Sequence, residues 1–585
     1  MKKIDLLRNE IERENIKAYV VPSSDPHLSE YLPEHYKERA FLTGFTGSNG
    51  LCITTPTEGK LWTDGRYFIQ AEMELKDSGY DLMKMATPGY PTYVEWLKDN
   101  LKSGDTVGLN ALYFSKAELD NLSEALAGKE IKIVDLDLVG RLWKDRPYLS
   151  KEKAFVLEDK YAGKSASSKI KEIRSAMSEV GADVHIVSEL PSISWTFNIR
   201  GRDILFTPVL FAYASIELNR AILFTDLSKI TDEVMEHLKN NGVEVREYNE
   251  IFEYASSLKG RNVLADKNML NSKVYDSIAG NIVNGKNPAE YLKAIKNDTE
   301  IKNQLEAHKI DCVALTKYFY YLKTNVGKVN INEYTAQEKL HEFRAESPLF
   351  IEESFGTISA YGPNAAMMHY SANENKHSDL KPKSLYLVDS GGQYLLGTTD
   401  ITRTIALGPV SDEEKRDFTN VLKSHINLAT FKFLKGTTGH ALDAVAREPL
   451  WRLGQDYKCG TGHGVGYLLG VHEGPHGIST RENNVAFAEN MVITIEPGIY
   501  KENKHGIRTE NDYYVKKAFE NENGEFLEFE TFNYLPIDLD AVDPNLLTQD
   551  EKDWLNDYHK KTYELLRDDL DDELRAWLKE YTRAI

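Results

Sequence analysis

The chain has 585 residues, 41% hydrophobic and 28% charged, with a net charge of −20. That length calls for more than one core, no apolar run reaches the roughly 18–20 residues of a membrane span, and the acidic balance argues against nucleic acid as a partner. Cys52, Cys312 and Cys459 are odd in number and far apart, so no disulfide framework is expected and a reducing cytoplasm is the expected compartment.

The first residues, Met-Lys-Lys-Ile-Asp-Leu-Leu, lack the apolar core of a signal peptide. Ile4, Leu7 and Ile11 instead predict an amphipathic helix over 3–15. A strand at 18–22, a hairpin of 51–55 with 60–64, a helix near 67–75 and strands at 106–109 and 132–135 follow, which predicts an α/β domain over 1–150. The order recurs over 151–298: a helix at 168–179 with Ile170, Ile173, Met177 and Val180 on one face, a strand at 183–187, a strand at 220–225, a helix at 232–239 and a strand at 263–266. Two related α/β domains are therefore expected. A long helix capped by Asp298 is predicted through Ile301, Leu305, His308 and Val313 to Leu322. It opens a third domain, 299–585, of α+β type, with helices near 411–434 and 438–453. From Gln549 onward Trp554, Leu555, Tyr558, Leu565, Leu566, Leu574, Trp577 and Leu578 fall at helical spacing, which predicts helices packed on the third domain or making a dimer contact.

Chemistry concentrates between residues 389 and 510. Leu-Val-Asp389-Ser-Gly-Gly, Thr-Thr-Asp400-Ile-Thr-Arg, Gly-Thr-Gly-His463-Gly-Val-Gly, Thr-Ile-Glu496-Pro-Gly and Arg-Thr-Glu510-Asn-Asp512 each set an acid or imidazole in an apolar or glycine-rich context. Strand parity puts Leu385, Leu387 and Asp389 on one face, Thr398, Asp400, Thr402 and Thr404 on another, Val492, Thr494 and Glu496 on a third, and Arg508, Glu510 and Asp512 on a fourth. A carboxylate pointing inward from an apolar strand is costly unless compensated. Four converging carboxylates with few basic neighbours call for two dications. Oxygen donors with a single imidazole suit manganese, cobalt or iron. His369 and His472 are candidates for substrate contact and for stabilising a tetrahedral oxyanion. Arg508 is a candidate for holding a substrate carbonyl or orienting the acids, and Thr402 and Thr494 are candidate donors to the carboxylates.

These segments resemble the pita-bread metallopeptidases, and within them the cytosolic, three-domain aminopeptidase P (Xaa-Pro aminopeptidase) type. The likeness includes His369-Tyr, Leu387-Val-Asp-Ser-Gly, Gly397-Thr-Thr-Asp-Ile-Thr-Arg-Thr, Gly460-Thr-Gly-His-Gly-Val-Gly, Val471-His-Glu-Gly-Pro, Ile495-Glu-Pro-Gly and Gly506-Ile-Arg-Thr-Glu-Asn, with Gly44-Phe-Thr-Gly-Ser, Trp62-Thr-Asp-Gly-Arg66-Tyr and Phe197-Asn-Ile-Arg-Gly-Arg-Asp nearer the N-terminus. The resemblance implies two α/β domains followed by a pita-bread catalytic domain with C-terminal helices. It implies two manganese ions held by Asp389, Asp400, His463, Glu496 and Glu510, and a bridging hydroxide that attacks the carbonyl before proline while Glu496 takes up its proton. It further implies that Arg66, His369, His463 and His472 contact the peptide, that a free N-terminal amino acid is released, and that the protein is a homodimer. One position departs from the pattern: Lys458-Cys459 stands where many relatives carry a histidine four residues before His463. Cys459 is expected to be dispensable. The competing expectations are a prolidase restricted to Xaa-Pro dipeptides, which lacks the extra N-terminal domain, a methionine aminopeptidase, which needs no such N-terminal half, and a non-catalytic scaffold of the same fold, which would be expected to lose ligands.

Overall fold

The computed structural model describes residues 2–585 and forms two compact units, Met1–Asp159 with Lys164–Glu290, and Lys160–Gly163 with Tyr291–Ile585. The first unit contains two six-stranded sheets. One has the order Asp81–Lys84, Gly59–Thr63, Leu51–Thr54, Ala18–Pro22, Thr106–Leu109, Lys132–Asp135. The other has the order Val243–Glu247, Ala221–Thr225, Ala212–Glu217, Val184–Val187, Asn262–Ala265, Asn281–Asn284. Strand directions match position by position: each first strand pairs antiparallel on one side and parallel on the other, and both outermost pairs are parallel. The recurrence expected from the sequence is therefore a repeat of topology.

The helices follow the apolar spacing. Ile4, Leu7 and Ile11 are all buried on Lys3–Arg13, and Ile170, Ile173 and Met177 are buried on Ala166–Glu179. Val180 is not on that face: it caps the helix C-terminus and is 52% exposed. His27 joins the two halves of this unit. Its ring nitrogens lie 2.8 Å from the Ser188 carbonyl and 2.7 Å from the Tyr248 hydroxyl, and burial lowers its pKa to about 3.

In the second unit the long helix spans Asp298–Asn325. Its cap is Asn297, not Asp298: Asn297 accepts from the backbone N–H groups of Thr299 and Glu300, and Glu300 returns a bond to the Asn297 N–H. Asp298 occupies the first turn, where the helix dipole favours an acid. The buried face is also displaced from the predicted one. It carries Gln304, His308, Asp311, Cys312, Leu315, Tyr318, Phe319 and Leu322, while Leu305 is 38% exposed. Cys312, Leu315, Phe319 and Leu322 pack with Tyr386, Val388, Ile401 and Ile405 from two strands and with Leu566, Leu574 and Leu578 from the C-terminal helices Gln549–Leu566 and Asp572–Tyr581. The C-terminal helices thus close the core over the strands that carry the site.

Candidate active site

Strand Leu385–Ser390 runs between Ile358–Tyr361 and Ile401–Ala406, with Asp389 opposite both Ile358 and Thr402. Asp400 lies one residue before the third strand. In a second sheet Val492–Ile495 pairs with Asn511–Asn521, Ile495 facing Asn511. Glu496 is the residue after the first of these strands and Glu510 the residue before the second, so the pairing brings them to the same end of the sheet. His463 is the middle residue of the short strand Gly462–Gly464. Its neighbour Gly462 lies so close to the next backbone that a Cβ there would fall 1.9 Å from the Thr494 carbonyl oxygen.

Strand parity overstated the regularity of this arrangement. Asp400, Glu496 and Glu510 stand at strand ends, and Glu510 sits in the break between His505–Arg508 and Asn511–Asn521. Arg508, Glu510 and Asp512 therefore do not share one strand face. Alternation holds only along unbroken extended backbone, and three of the four acids lie where the backbone leaves the sheet.

The side chains nonetheless converge. One donor atom each from Asp400, His463 and Glu510 lies within 4.8 Å of the others. His463 Nε2 is 3.4 Å from an Asp400 oxygen and 3.6 Å from a Glu496 oxygen. His463 Nδ1 is 3.0 Å from the Gly464 carbonyl, which assigns the proton to Nδ1 and aims Nε2 at the acids. Arg508 caps the cluster from the other side. Its guanidinium donates to Asp389 Oδ2, to the Thr402 hydroxyl at 3.1 Å and to the Tyr500 hydroxyl at 2.6 Å. Thr402 in turn donates to Glu510 at 2.5 Å. Thr494 does not bond a carboxylate; its hydroxyl accepts the His463 N–H at 3.1 Å.

The electrostatics record three buried acids and the half-buried Glu496 competing for too little positive charge. Burial, with the charge of Asp389, raises the Asp400 carboxyl to about 6 against the pull of His463. Burial and then the charges of Asp400, Glu496 and Asp389 push Glu510 well up, and burial raises Glu496 although His463 and Arg508 oppose it. Burial works against charge on His463 too, but the bond to Asp400 and the nearby Glu496 outweigh it and raise the imidazole to about 10. Asp389 Oδ1 is buried with no hydrogen-bond partner. An unsatisfied buried carboxylate oxygen, acids whose pKa values are raised by burial and by one another's charge, and one imidazole nitrogen aimed among them are the donor set of a hard or borderline divalent cation, and these residues fit such ions.

The remaining predicted residues are placed as follows. His472 is exposed and its ring meets that of His463 edge-on, with centroids 4.3 Å apart. His369 is half-buried in the segment after strand Ile358–Tyr361. Arg66 belongs to the first unit, where its guanidinium grips Asp64 through two bonds of 2.8 Å. Cys459 is half-buried among Tyr457, Tyr500 and Leu450, and burial followed by the charge of Glu496 pushes its thiol up to about 12.

Two supporting groups escaped the sequence reading. Asp311 and Arg344, both buried, are joined by bonds of 2.7 and 3.2 Å. Arg344 also donates to Ser390, next to Asp389, at 3.0 Å, while Asp311 accepts from Thr399, next to Asp400, at 2.8 Å. The pair therefore ties together the backbone on which both aspartates stand. Behind it, His308 lies 2.7 Å from Asp512, which accepts the Asp400 N–H at 3.1 Å. The available signal was polar residues at i, i+4 and i+7 (Gln304, His308, Asp311) on a helix face otherwise apolar.

Residues 302–517 match metallopeptidase family M24, residues 525–585 the C-terminal region of peptidase M24, and residues 3–141 and 145–300 two creatinase/prolidase N-terminal domain descriptions. Aminopeptidase P2 of Arabidopsis thaliana is 39% identical over 97% of this chain and 86% of that protein. The crystal structure of an X-prolyl aminopeptidase from Caenorhabditis elegans, described as a cytosolic enzyme with a di-nuclear active site, covers 100% of this chain and 99% of its own at 32% identity, with a TM-score of 0.95. An Xaa-Pro dipeptidase from Bacillus anthracis covers 64% of this chain and 99% of its own at 26% identity, with a TM-score of 0.52. The second unit carries the pita-bread catalytic domain, and with its creatinase-type N-terminal half the chain belongs to the Xaa-Pro aminopeptidase P group of the M24 metallopeptidases.

Proposed function

We propose that this protein is a metal-dependent aminopeptidase that releases the N-terminal residue from peptides with proline in second position, and that Asp389, Asp400, His463, Glu496 and Glu510 hold two divalent cations. The observation that carries the metal reading is the buried acidic cluster with its unsatisfied Asp389 oxygen and the imidazole aimed into it. The substrate class rests on full-length likeness to proteins named for that activity. Manganese is the proposed metal, in keeping with an oxygen-rich donor set.

When bound, the cations supply an activated water and Lewis-acid stabilisation of the developing charge. The chain's own groups do the rest. Glu496 takes up the proton of the attacking water. His369 and His472 donate to the carbonyl oxygen as it becomes an oxyanion and to the peptide backbone. The bond before proline has no N–H to recognise, so selection falls on carbonyl oxygens and on the ring, which suits imidazole donors. Arg508 and Thr402 hold Asp389 and Glu510 in fixed orientations, the role their hydrogen bonds support. Arg66 is proposed as a peptide contact.

We further propose three domains with junctions near 150 and 298, cytoplasmic residence and a homodimer. Compartment rests on three free cysteines, and among the described residues no helix is long and apolar enough to cross a membrane.

The test is hydrolysis by chelated protein with manganese, cobalt or zinc restored in turn, on Xaa-Pro-Xaa peptides and on Xaa-Pro dipeptides. Release of the first residue from the longer peptides, only after metal is restored, is expected. Cleavage of dipeptides alone would make it a prolidase. No cleavage and no bound metal would leave a scaffold without catalysis.

A further inference from the structure

Glu333 is a fully buried carboxylate at the first position of helix Glu333–Ala345. It accepts from the Tyr361 N–H at 2.6 Å, from the Asn364 side-chain amide at 3.0 Å to each oxygen, from the Tyr370 hydroxyl at 2.8 Å and from the Ser378 N–H at 2.6 Å. All four donor residues lie in one segment, 361–378. The contact is reciprocal at the backbone, since the Glu333 N–H donates to the Ser378 carbonyl at 3.0 Å and the Ser359 hydroxyl donates to the Glu333 carbonyl at 2.6 Å. A buried carboxylate is costly to leave bare, and charge-assisted bonds to it are the strong kind. This one is satisfied by gathering both ends and the middle of a single loop.

That loop carries His369, directly before Tyr370. It leaves strand Ile358–Tyr361, the strand that lays Ile358 opposite Asp389. Its first turn, Gly362–Ala366, presses on strand His505–Arg508 so closely that a Cβ on Gly506 would fall 1.7 Å from the Ala365 carbonyl oxygen. Tyr370 is buried, 3% exposed, with its hydroxyl on Glu333 and 3.2 Å from the Asn364 amide. The loop is thus pinned against the strands bearing Asp389 and Arg508, and Glu333 is the group on which its hydrogen bonds converge.

We propose that Glu333 is a positioning residue for the reaction: it holds segment 361–378 so that His369 is presented to the scissile peptide. It touches neither substrate nor metal and acts through His369. The proposal rests on the assignment of His369 to substrate contact. Glu333→Gln keeps the size and shape of the side chain but turns an amide N–H₂ toward groups that are themselves donors, so at least one donor loses its partner. A displacement of about 1 Å at a catalytic group costs on the order of 100-fold in rate.

The test is a double-mutant cycle on kcat/KM for an Xaa-Pro-Xaa peptide with Glu333→Gln, His369→Ala and the combination, alongside metal content and amide exchange of residues 361–378. Expected are a fall of about 100-fold in Glu333→Gln, no further loss when it is added to His369→Ala, full metal content and faster exchange confined to the loop. Additive losses, or unchanged kcat/KM with a loosened loop, would overturn the role of Glu333. Should Glu333→Gln fail to fold, Tyr370→Phe removes one of the bonds to Glu333, together with the Asn364 contact to the same hydroxyl, and must show a smaller loss with the same dependence on His369. A wild-type protein that leaves Xaa-Pro-Xaa uncut would sink the functional reading itself, which the cycle distinguishes from failure of Glu333 alone.

Discussion

The substitution Asp400→Asn separates the cost of the acidic cluster from its use. In the metal-free protein the Asp400 carboxyl is raised from 3.8 to about 6, first by burial. An acid whose folded pKa is raised carries no penalty below its unfolded value, loses stability as pH climbs between the two values and bears the full cost above the folded one. Between 3.8 and about 6 that cost is on the order of 3 kcal/mol at pH 7. The amide side chain keeps the shape and drops the charge, and the raised value already includes the opposing pull of His463. Chelated Asp400→Asn should therefore unfold about 5 °C above chelated wild type at pH 7, with the gap shrinking to about 1 kcal/mol at pH 4.5. Added manganese should raise the melting temperature of the wild type and not of the variant, and turnover should be lost by 1000-fold or more (order of magnitude, ~10³). Thermal unfolding with and without chelator at the two pH values, plus peptide hydrolysis, measures all of this. A chelated variant less stable than chelated wild type at pH 7, or one that gains as much from metal, would refute the reasoning.

Other consequences follow from single groups. Arg344→Met strands the buried Asp311 carboxylate, which should cost about 3–5 kcal/mol in chemical unfolding; a loss under about 1 kcal/mol would mean that the pair is not needed to hold the strands. Burial lowers His27 to about 3 and His559 to about 4. The unfolded chain then binds more protons below about 6.5, so stability is lost as pH falls from 7 to 5, by about 2 kcal/mol per histidine, and His27→Gln should flatten that slope in urea midpoints. Cys459→Ser should keep turnover within a few-fold of wild type, because burial holds the thiol neutral with its pKa near 12; near-complete loss with metal content intact would show that the thiol takes part.

Much of the secondary structure was legible because the apolar pattern is regular: Ile4, Leu7 and Ile11 predicted a helix, and eight of the twelve strands of the two six-stranded sheets were read from the sequence, while Asp81–Lys84, Ala212–Glu217, Val243–Glu247 and Asn281–Asn284 were not. The misreadings have local causes. Asn297 and Asp298 are both good caps, and only the backbone geometry decides between them. Val180 and Leu305 are apolar and exposed, whereas Gln304, His308 and Asp311 are polar and buried. A pattern that scores polarity alone puts Val180, Leu305, Gln304 and Asp311 on the wrong side; of the five only His308 was read on the side it occupies, the buried face.

The sequence by itself singled out the acids and His463 as candidate metal ligands, since they stand in glycine-rich or apolar contexts where a bare charge is costly, and the whole chain resembles one peptidase type. Only the tertiary structure decided how they are held. It put three of the four acids at strand ends, gave Arg508 to Asp389, Thr402 and Tyr500, gave the Thr494 hydroxyl to the His463 backbone, and revealed Asp311, Arg344 and Glu333 behind them. The physical reason is range. Apolar spacing is written locally along the chain, but a buried charge is stabilised by donors brought from elsewhere: 33 residues separate Asp311 from Arg344, and 119 separate Asp389 from Arg508. No local pattern records that partnership.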